Sequence, residues 1–412
     1  MSSSTLPTPT NQASPRYHGL DGLRTIAMLL GIVIHASIPY FFPKGNPLWP
    51  VDDEQSLVLW VVYESIHVWR MPAFFLLAGF FAHLLLERRT TRAFIGNRIG
   101  RIAVPLIIFW PIMMAIVPAV WVYGWTSEFA FPTEQTDKPN TLGRLPIFHL
   151  WFLYYLLIQY TALLVSRTVG TGLTIARPLR RLGGRITFTR LPILLMVAAA
   201  VLQFAGGGEL SLAWWPISWA HFLYCSLFFL FGYGLHGRPH LLEQLKTPLV
   251  IGTLLTVGSL CFVIQLAFTV LGFDAAVRGA MSLVPVFGAI TALSTGLTAT
   301  CWTICLVGIA ERLLKNHSPV VRWLVDSSYW IYVMHLPVVA FLTFWLAHLD
   351  RHGRLREITG VEWSPVFKFL LATGLTLAIG LTTYQYFVRH TPINKLLNGH
   401  RARRMSQAKE LP

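Results

Sequence analysis

Ten apolar stretches take up most of the chain, at residues 23–43, 57–87, 102–124, 147–166, 191–206, 212–235, 248–272, 282–310, 326–348 and 365–388, and no connection between them is long enough to hold a soluble domain. A helix needs about 20 apolar residues to cross a bilayer. In hydrocarbon, only a helix or a closed barrel satisfies its own backbone hydrogen bonds. The pattern predicts an all-α, polytopic integral membrane protein with about ten transmembrane helices. Composition agrees: 54% of the 412 residues are hydrophobic and 12% are charged, where a soluble domain carries about 25% charged residues.

The connections alternate in charge. Residues 44–56 hold Lys44 against Asp52, Asp53 and Glu54, and residues 87–101 hold Arg88, Arg89, Arg92, Arg98 and Arg101 against Glu87 alone. Residues 125–146 are acidic overall, whereas residues 167–190 carry Arg167, Arg177, Arg180, Arg181, Arg185 and Arg190 with no acid. Basic loops stay on the cytoplasmic side, so ten spans with both termini cytoplasmic are expected. The net charge of +15 then reports topology and contact with lipid headgroups, not nucleic acid. Residues 1–16 lack the apolar core of a signal peptide and read as a disordered tail. Residues 17–392 read as a single transmembrane domain, and residues 393–412 as a basic cytoplasmic tail. Cys225, Cys261, Cys301 and Cys305 all lie in apolar stretches, and neither a disulfide framework nor a metal-ligand spacing is indicated.

Ionisable side chains inside spans are costly and mark functional sites. Arg24 and His35 on the first helix share a face, with the guanidinium at the cytoplasmic boundary and the imidazole about 16 Å further into the membrane. Glu64, His67 and Arg70 occupy one broad face of the second helix. Arg98 and Arg101 present two guanidinium forks at the cytoplasmic end of the third, a geometry suited to phosphate. His149 begins the fourth helix at its outer end, beside aromatic residues that also fit an interfacial belt, and His335 lies mid-span in the ninth beside Pro337. His221, Tyr384 and Gln385 are further polar residues whose spacing selects no reaction. Taken singly, each of these residues also fits anchoring, packing or positive-inside charge.

Leu20-Asp21-Gly22-Leu23-Arg24, followed after ten residues by His35, resembles the first-helix signature of the membrane acyltransferase-3 family. The resemblance extends to Arg98-x-x-Arg101, to His149-Leu150-Trp151 and to Ser328-Tyr329-x-Ile331-Tyr332-x-x-His335. The runs Arg70–Phe81 and His149–Tyr155 look most like the branch associated with succinyl transfer to periplasmic glucans. The chain lacks the Trp-Ser-Leu-x-x-Glu-Glu continuation of the O-antigen and peptidoglycan O-acetyltransferases.

The resemblance implies an O-acyltransferase of the bacterial inner membrane, with membrane lipids around it. It would move a succinyl or acetyl group from cytoplasmic acyl-coenzyme A to a hydroxyl of an extracytoplasmic carbohydrate such as a periplasmic glucan. The donor is a substrate, and no permanently bound cofactor or metal is expected. On this reading Arg24, Arg98 and Arg101 hold coenzyme A phosphates. His35 is the general base, suited by an imidazole pKa of about 6.5, and Arg70 and His335 complete the catalytic group. Glu64, His67 and His149 bind or orient substrate. Direct transfer and a covalent acyl-histidine both remain open. A proton-coupled transporter of a small solute or sugar is the alternative that intramembrane Glu, His and Arg would also serve.

Overall fold

The computed structural model describes residues 17–44, 46, 48–129, 145–170, 190–206, 214–215, 218–314 and 319–399. In chain order the helices are α1 (His18–Ser37), α2 (Leu57–Arg88), α3 (Thr91–Arg98), α4 (Val104–Thr126), α5 (Trp151–Gly170), α6 (Arg190–Ala205) and α7 (Trp219–His236). They are followed by α8 (Pro239–Leu245), α9 (Pro248–Val277), α10 (Val284–Leu313), α11 (Pro319–Arg351), α12 (Arg354–Thr359), α13 (Pro365–Thr383) and α14 (Pro392–Asn398). Eight continuous helical segments are long and apolar enough to cross a membrane, and α6 adds a shorter apolar helix. The only extended pairing among the described residues is two residues long, Leu145–Pro146 against Trp214–Trp215. It delays the start of the segment expected at 212–235 until Trp219. Trp215 precedes Pro216, and a residue before proline is held extended.

α1 stands at the centre, packed against α2, α10, α11 and α13. Its first turn leaves amide groups without helical partners, and Glu311 of α10 takes one of them, Leu20 N to Oε1 at 3.0 Å. α2 starts on Ser56, whose hydroxyl accepts from Leu59 N, and runs for 32 residues through Pro72. Between lipid-bathed helices there is no hydrophobic gain to drive association, so close packing has to supply it. Gly79 of α2 lies against the Phe229 carbonyl, and Gly232 of α7 against that of Leu76, at a separation that leaves no room for a Cβ. α9, apolar all round, is buried along one edge only, at Gly258, Phe262, Gln265 and Ala275, and turns the rest outward as a lipid-facing helix does.

Two π-turns interrupt the bundle, at Ile99–Ala103 between α3 and α4 and at Tyr384–Val388 after α13. Such turns are rare and concentrate at functional sites. The residues expected to open the C-terminal tail instead form α14, with Asn394 and Leu397 buried. Leu397 offers its carbonyl to Arg101 Nε at 3.2 Å, which ties the helix to the bundle. The 1–16 tail and residues 400–412 lie outside the described residues.

Candidate functional site

At the end of the bundle where α1 begins, a pocket opens between α1, α2, the first π-turn, α5 and α11. Its cavity volume is about 110 Å³, and Arg24, Arg98 and Arg101 all line it. Arg24 is thereby brought beside Arg98 and Arg101, more than 70 positions later in the sequence. Arg98 lies over the rings of Phe94 and Tyr160, at 5.1 and 4.7 Å. Arg24 lies over Phe81 at 5.9 Å and reaches Asp21 at 3.6 Å. Tyr329 donates to the Arg101 carbonyl at 2.6 Å, fixing the π-turn from which Arg101 projects. Arg24 Nε and Arg98 Nε are buried without a hydrogen-bond partner. The rim is therefore cationic, with donor capacity left over.

Four elements of the pocket wall carry the residues of the second group one to two turns beyond a pocket residue. On α1, Met28 gives way to Gly31 and then His35. On α2, Phe74 gives way to Arg70. Phe152 of α5 is followed by His149 just before the helix, and Ser328 and Tyr329 of α11 by Tyr332 and His335. Phe74 and Phe152 meet at 5.1 Å between ring centroids, and Phe152 and Tyr332 at 6.2 Å, so rings in contact form a closed aromatic neck that separates the pocket from the cluster.

Beyond the neck, the ring of His335 lies 5.3 Å from that of His35 and 5.1 Å from that of His149. The ring of His35 stacks on Trp49 at 5.7 Å. A Cβ on Gly31 would stand 2.6 Å from Arg70 Nη1 and 3.2 Å from His335 Nε2. Glycine at this position is what lets the guanidinium and the imidazole come against the central helix.

Hydrogen bonds set two of the tautomers. His335 Nδ1 lies 2.7 Å from the Tyr332 carbonyl and must carry the proton to donate there. Its Nε2 then holds a lone pair, buried and without a partner. His149 Nε2 donates to the Val333 carbonyl at 2.9 Å, and Tyr332 donates to the His149 carbonyl at 2.7 Å, which leaves His149 Nδ1 open. His35 Nδ1 also has no partner. Arg70 makes no ion pair among the described residues; it donates a long hydrogen bond to the Met71 sulfur at 3.8 Å, and its Nε is unsatisfied. A guanidinium placed there without a carboxylate stands ready for a negative charge brought by a ligand or a reaction.

Not every expected residue joins this group. Glu64 Oε2 accepts from Gln265 of α9 at 3.1 Å and is not paired with Arg70, because the i, i+6 offset directs it toward α9. His67 stacks on Tyr63 at 4.9 Å, its Nε2 buried without a partner. His149, expected at the outer end of its helix, is 8% exposed and packs within the cluster. Phe148 before it adopts a φ of 51°, a left-handed conformation that a bulky side chain rarely takes. The short 3-10 turn Phe148–Leu150 thereby sets the imidazole inward.

Sequence reasoning missed a buried charge cluster on the opposite side of the bundle. Lys368 of α13, 0% exposed, bonds both oxygens of Asp52 at 2.9 Å and Asp350 Oδ2 at 2.6 Å. The signal was a lysine inside the apolar segment 365–388; nothing in the spacing pointed to its partners.

The fold and this site define a multi-pass membrane protein with a cationic pocket and, beyond a layer of aromatic rings, a histidine–arginine cluster. An acyltransferase-domain family pattern, Acyl_transf_3, matches residues 17–385, and the chain belongs to that family. It is a membrane O-acyltransferase. Among curated relatives, Glucans biosynthesis protein C of Shigella dysenteriae serotype 1 is 26% identical over 394 residues, covering 93% of this chain and 94% of its own. The protein of that name from Escherichia coli K12 is 26% identical over 393 residues with the same coverage. No solved structure matches the chain at a significant level.

Proposed function

We propose that the chain transfers a succinyl or acetyl group from cytoplasmic acyl-coenzyme A to a hydroxyl of an extracytoplasmic carbohydrate, a periplasmic glucan, in the bacterial inner membrane with both termini cytoplasmic. The observation that carries this reading is the alignment along α1 of an arginine-rimmed pocket with an unpaired Arg70 set among three histidines. The glucan acceptor follows the names of the relatives.

On this reading Arg24, Arg98 and Arg101 hold the coenzyme A phosphates by charge-assisted hydrogen bonds. The Phe74 and Phe152 rings, in contact at 5.1 Å, part to let the pantetheine arm through, and it delivers the thioester carbonyl to Arg70. His35 takes the proton of the acceptor hydroxyl as its oxygen forms a bond to that carbonyl carbon. Arg70 stabilises the resulting oxyanion. Collapse breaks the carbon–sulfur bond, the departing sulfur receives the proton from His35, and an ester and free coenzyme A remain. His335, whose Nε2 lone pair is buried beside Gly31 without a partner, and His149 orient the hydroxyl beside His35. His67 and Glu64 contact the acceptor further along the outer half of α2.

The test is coenzyme A release from succinyl- and acetyl-coenzyme A by purified protein, with and without glucan. Release that depends on glucan and is lost in His35→Ala supports the proposal, and the preferred donor identifies the acyl group. Glucan-dependent release at the wild-type rate in His35→Ala removes the base assignment. No release with either donor from folded protein removes the donor assignment.

A further inference from the structure

Beyond the acyl-transfer site, the end of α2 nearest the arginine pocket carries a second group of side chains. His83 and Glu87, one turn apart on α2, face His236, the last residue of α7. His83 Nε2 lies 3.5 Å from Glu87 Oε1, and His236 Nδ1 lies 3.5 Å from Glu87 Oε2. The three donor atoms fall within 4.8 Å of one another.

These separations are long for hydrogen bonds, which run to about 3.2 Å for N–H···O. Each is close to the edge of a tetrahedron whose corners lie about 2.0–2.1 Å from a zinc ion, which is about 3.4 Å. The two run to different Glu87 oxygens, and the 4.8 Å span of the three donors has to contract slightly around an ion. The protonation pattern also suits a metal. His83 Nδ1 lies 2.7 Å from the Tyr233 carbonyl and donates to it, so the lone pair on Nε2 faces Glu87. A carbonyl that orients the ring through its other nitrogen is the usual support of a metal-bound histidine. The His236 side chain is 8% exposed, and its Nδ1, aimed at Glu87, has no hydrogen-bond partner. Aromatic rings hold both imidazoles: Tyr233 stacks on His83 at 4.3 Å, and Phe80 meets His236 edge-on at 5.0 Å.

We propose that His83, Glu87 and His236 form a binding site for a divalent metal of the zinc class, one that clamps the ends of α2 and α7 together. Two imidazole nitrogens and one carboxylate exclude magnesium and calcium as preferred occupants, since those ions take oxygen ligands. Glu87 is 55% exposed, so the fourth position faces solvent and takes water. The helices are already held close by Gly79 and Gly232, and a metal at their ends would fix the angle of α2. Leu77, Ala78 and Phe81 of α2 line the arginine pocket, so the ion holds one wall of that pocket without touching its contents. No linear spacing reveals the site, because His236 lies on a different helix, some 150 residues from its partners.

The test uses full-length protein purified in detergent without a metal column, stripped with chelator and titrated with Zn²⁺, with Co²⁺ as an optical probe. The wild type is expected to bind about one Zn²⁺ per chain, to show tetrahedral Co²⁺ absorption, and to melt at higher temperature with zinc. Glu87→Gln and His236→Gln are each expected to weaken binding by about 10-fold or more and to abolish the zinc-dependent shift. Their metal-free melting temperature should stay near that of the stripped wild type. Glu87→Gln alters a largely exposed side chain and separates loss of the site from loss of fold. No zinc binding by the wild type, or binding of equal strength in wild type and Glu87→Gln, overturns the proposal.

Discussion

Gly31→Ala introduces one methyl group at the point where the pocket wall meets the reacting cluster. The new Cβ would stand 2.6 Å from Arg70 Nη1 and 3.2 Å from His335 Nε2, where ordinary contact begins at 3.4 Å. The backbone of α1 is held on four sides by other helices, so the arginine end must retreat by about 0.8 Å, and the His335 ring by a few tenths of an ångström. Alanine favours the helix over glycine by up to about 1 kcal/mol, while crowding costs about 1–3 kcal/mol. Stability should therefore change by no more than about 2 kcal/mol. A displacement near 1 Å of a charge that stabilises the transition state can lower turnover by about 100-fold, or about 2.7 kcal/mol in the barrier. The assay is the initial rate of acceptor-dependent coenzyme A release at saturating donor, read beside a melting curve of the same preparation. Turnover within about threefold of the wild type in folded Gly31→Ala would refute the placement of Arg70 at the developing charge.

Other perturbations separate the parts of the account. Arg101→Ala should raise the KM for acyl-coenzyme A by about 10-fold, as expected for loss of a charge-assisted hydrogen bond, with kcat changed less; a kcat loss at unchanged KM contradicts the phosphate-clamp role. Lys368→Met leaves Asp52 and Asp350 facing each other without their shared cation and should destabilise the protein by about 3–5 kcal/mol, seen as a large fall in melting temperature that Lys368→Met combined with Asp52→Asn partly restores. Asp53 bonds Arg351 at 2.8 Å and lies 3.4 Å from Lys44, and these partners, the Arg351 hydrogen bond first, hold its carboxyl below the usual range. Its contribution is therefore present above the ordinary carboxylate pKa of about 3.9 and is lost as pH falls through the lowered value. Asp53→Asn should lower the melting temperature slightly at pH 7, less at high salt, and not at all near about pH 2; a difference that persists in acid refutes the pairing.

Eight of the ten expected spans were legible, because each has to be apolar over a membrane's thickness whatever packs against it; the helices at 191–206 and 212–235, α6 and α7, fall short of that length or apolarity among the described residues. Arg24, Arg98 and Arg101 were singled out one by one as cations at helix ends, and only the resemblance grouped them; the structure places all three around one pocket. Contacts set by turns were not legible. His149 reads as a residue at the outer end of a helix, and only the left-handed Phe148 and the short turn after it bring the ring to His335. Glu64 shares a broad helix face with Arg70, yet Gln265 of a distant helix takes its carboxylate. Lys368 and Asp52 are 316 positions apart, and no local pattern predicts that an aspartate of the α1–α2 connection closes over a lysine inside a span. The segment after residue 392 looked like a basic tail because its charge hides Leu397, whose burial makes it a helix of the bundle.

The central claim is that the arginine pocket and the Arg70–histidine cluster are two ends of one donor site. The most direct measurement is a structure of the full chain in detergent or nanodiscs, bound to a succinyl-coenzyme A analogue in which a methylene separates the sulfur from the carbonyl. The account predicts phosphate density against Arg24, Arg98 and Arg101, with the analogue's arm through the Phe74–Phe152 neck and its carbonyl within hydrogen-bond reach of Arg70. Phosphates held elsewhere, or an arm that leaves the pocket without passing the neck, would contradict it.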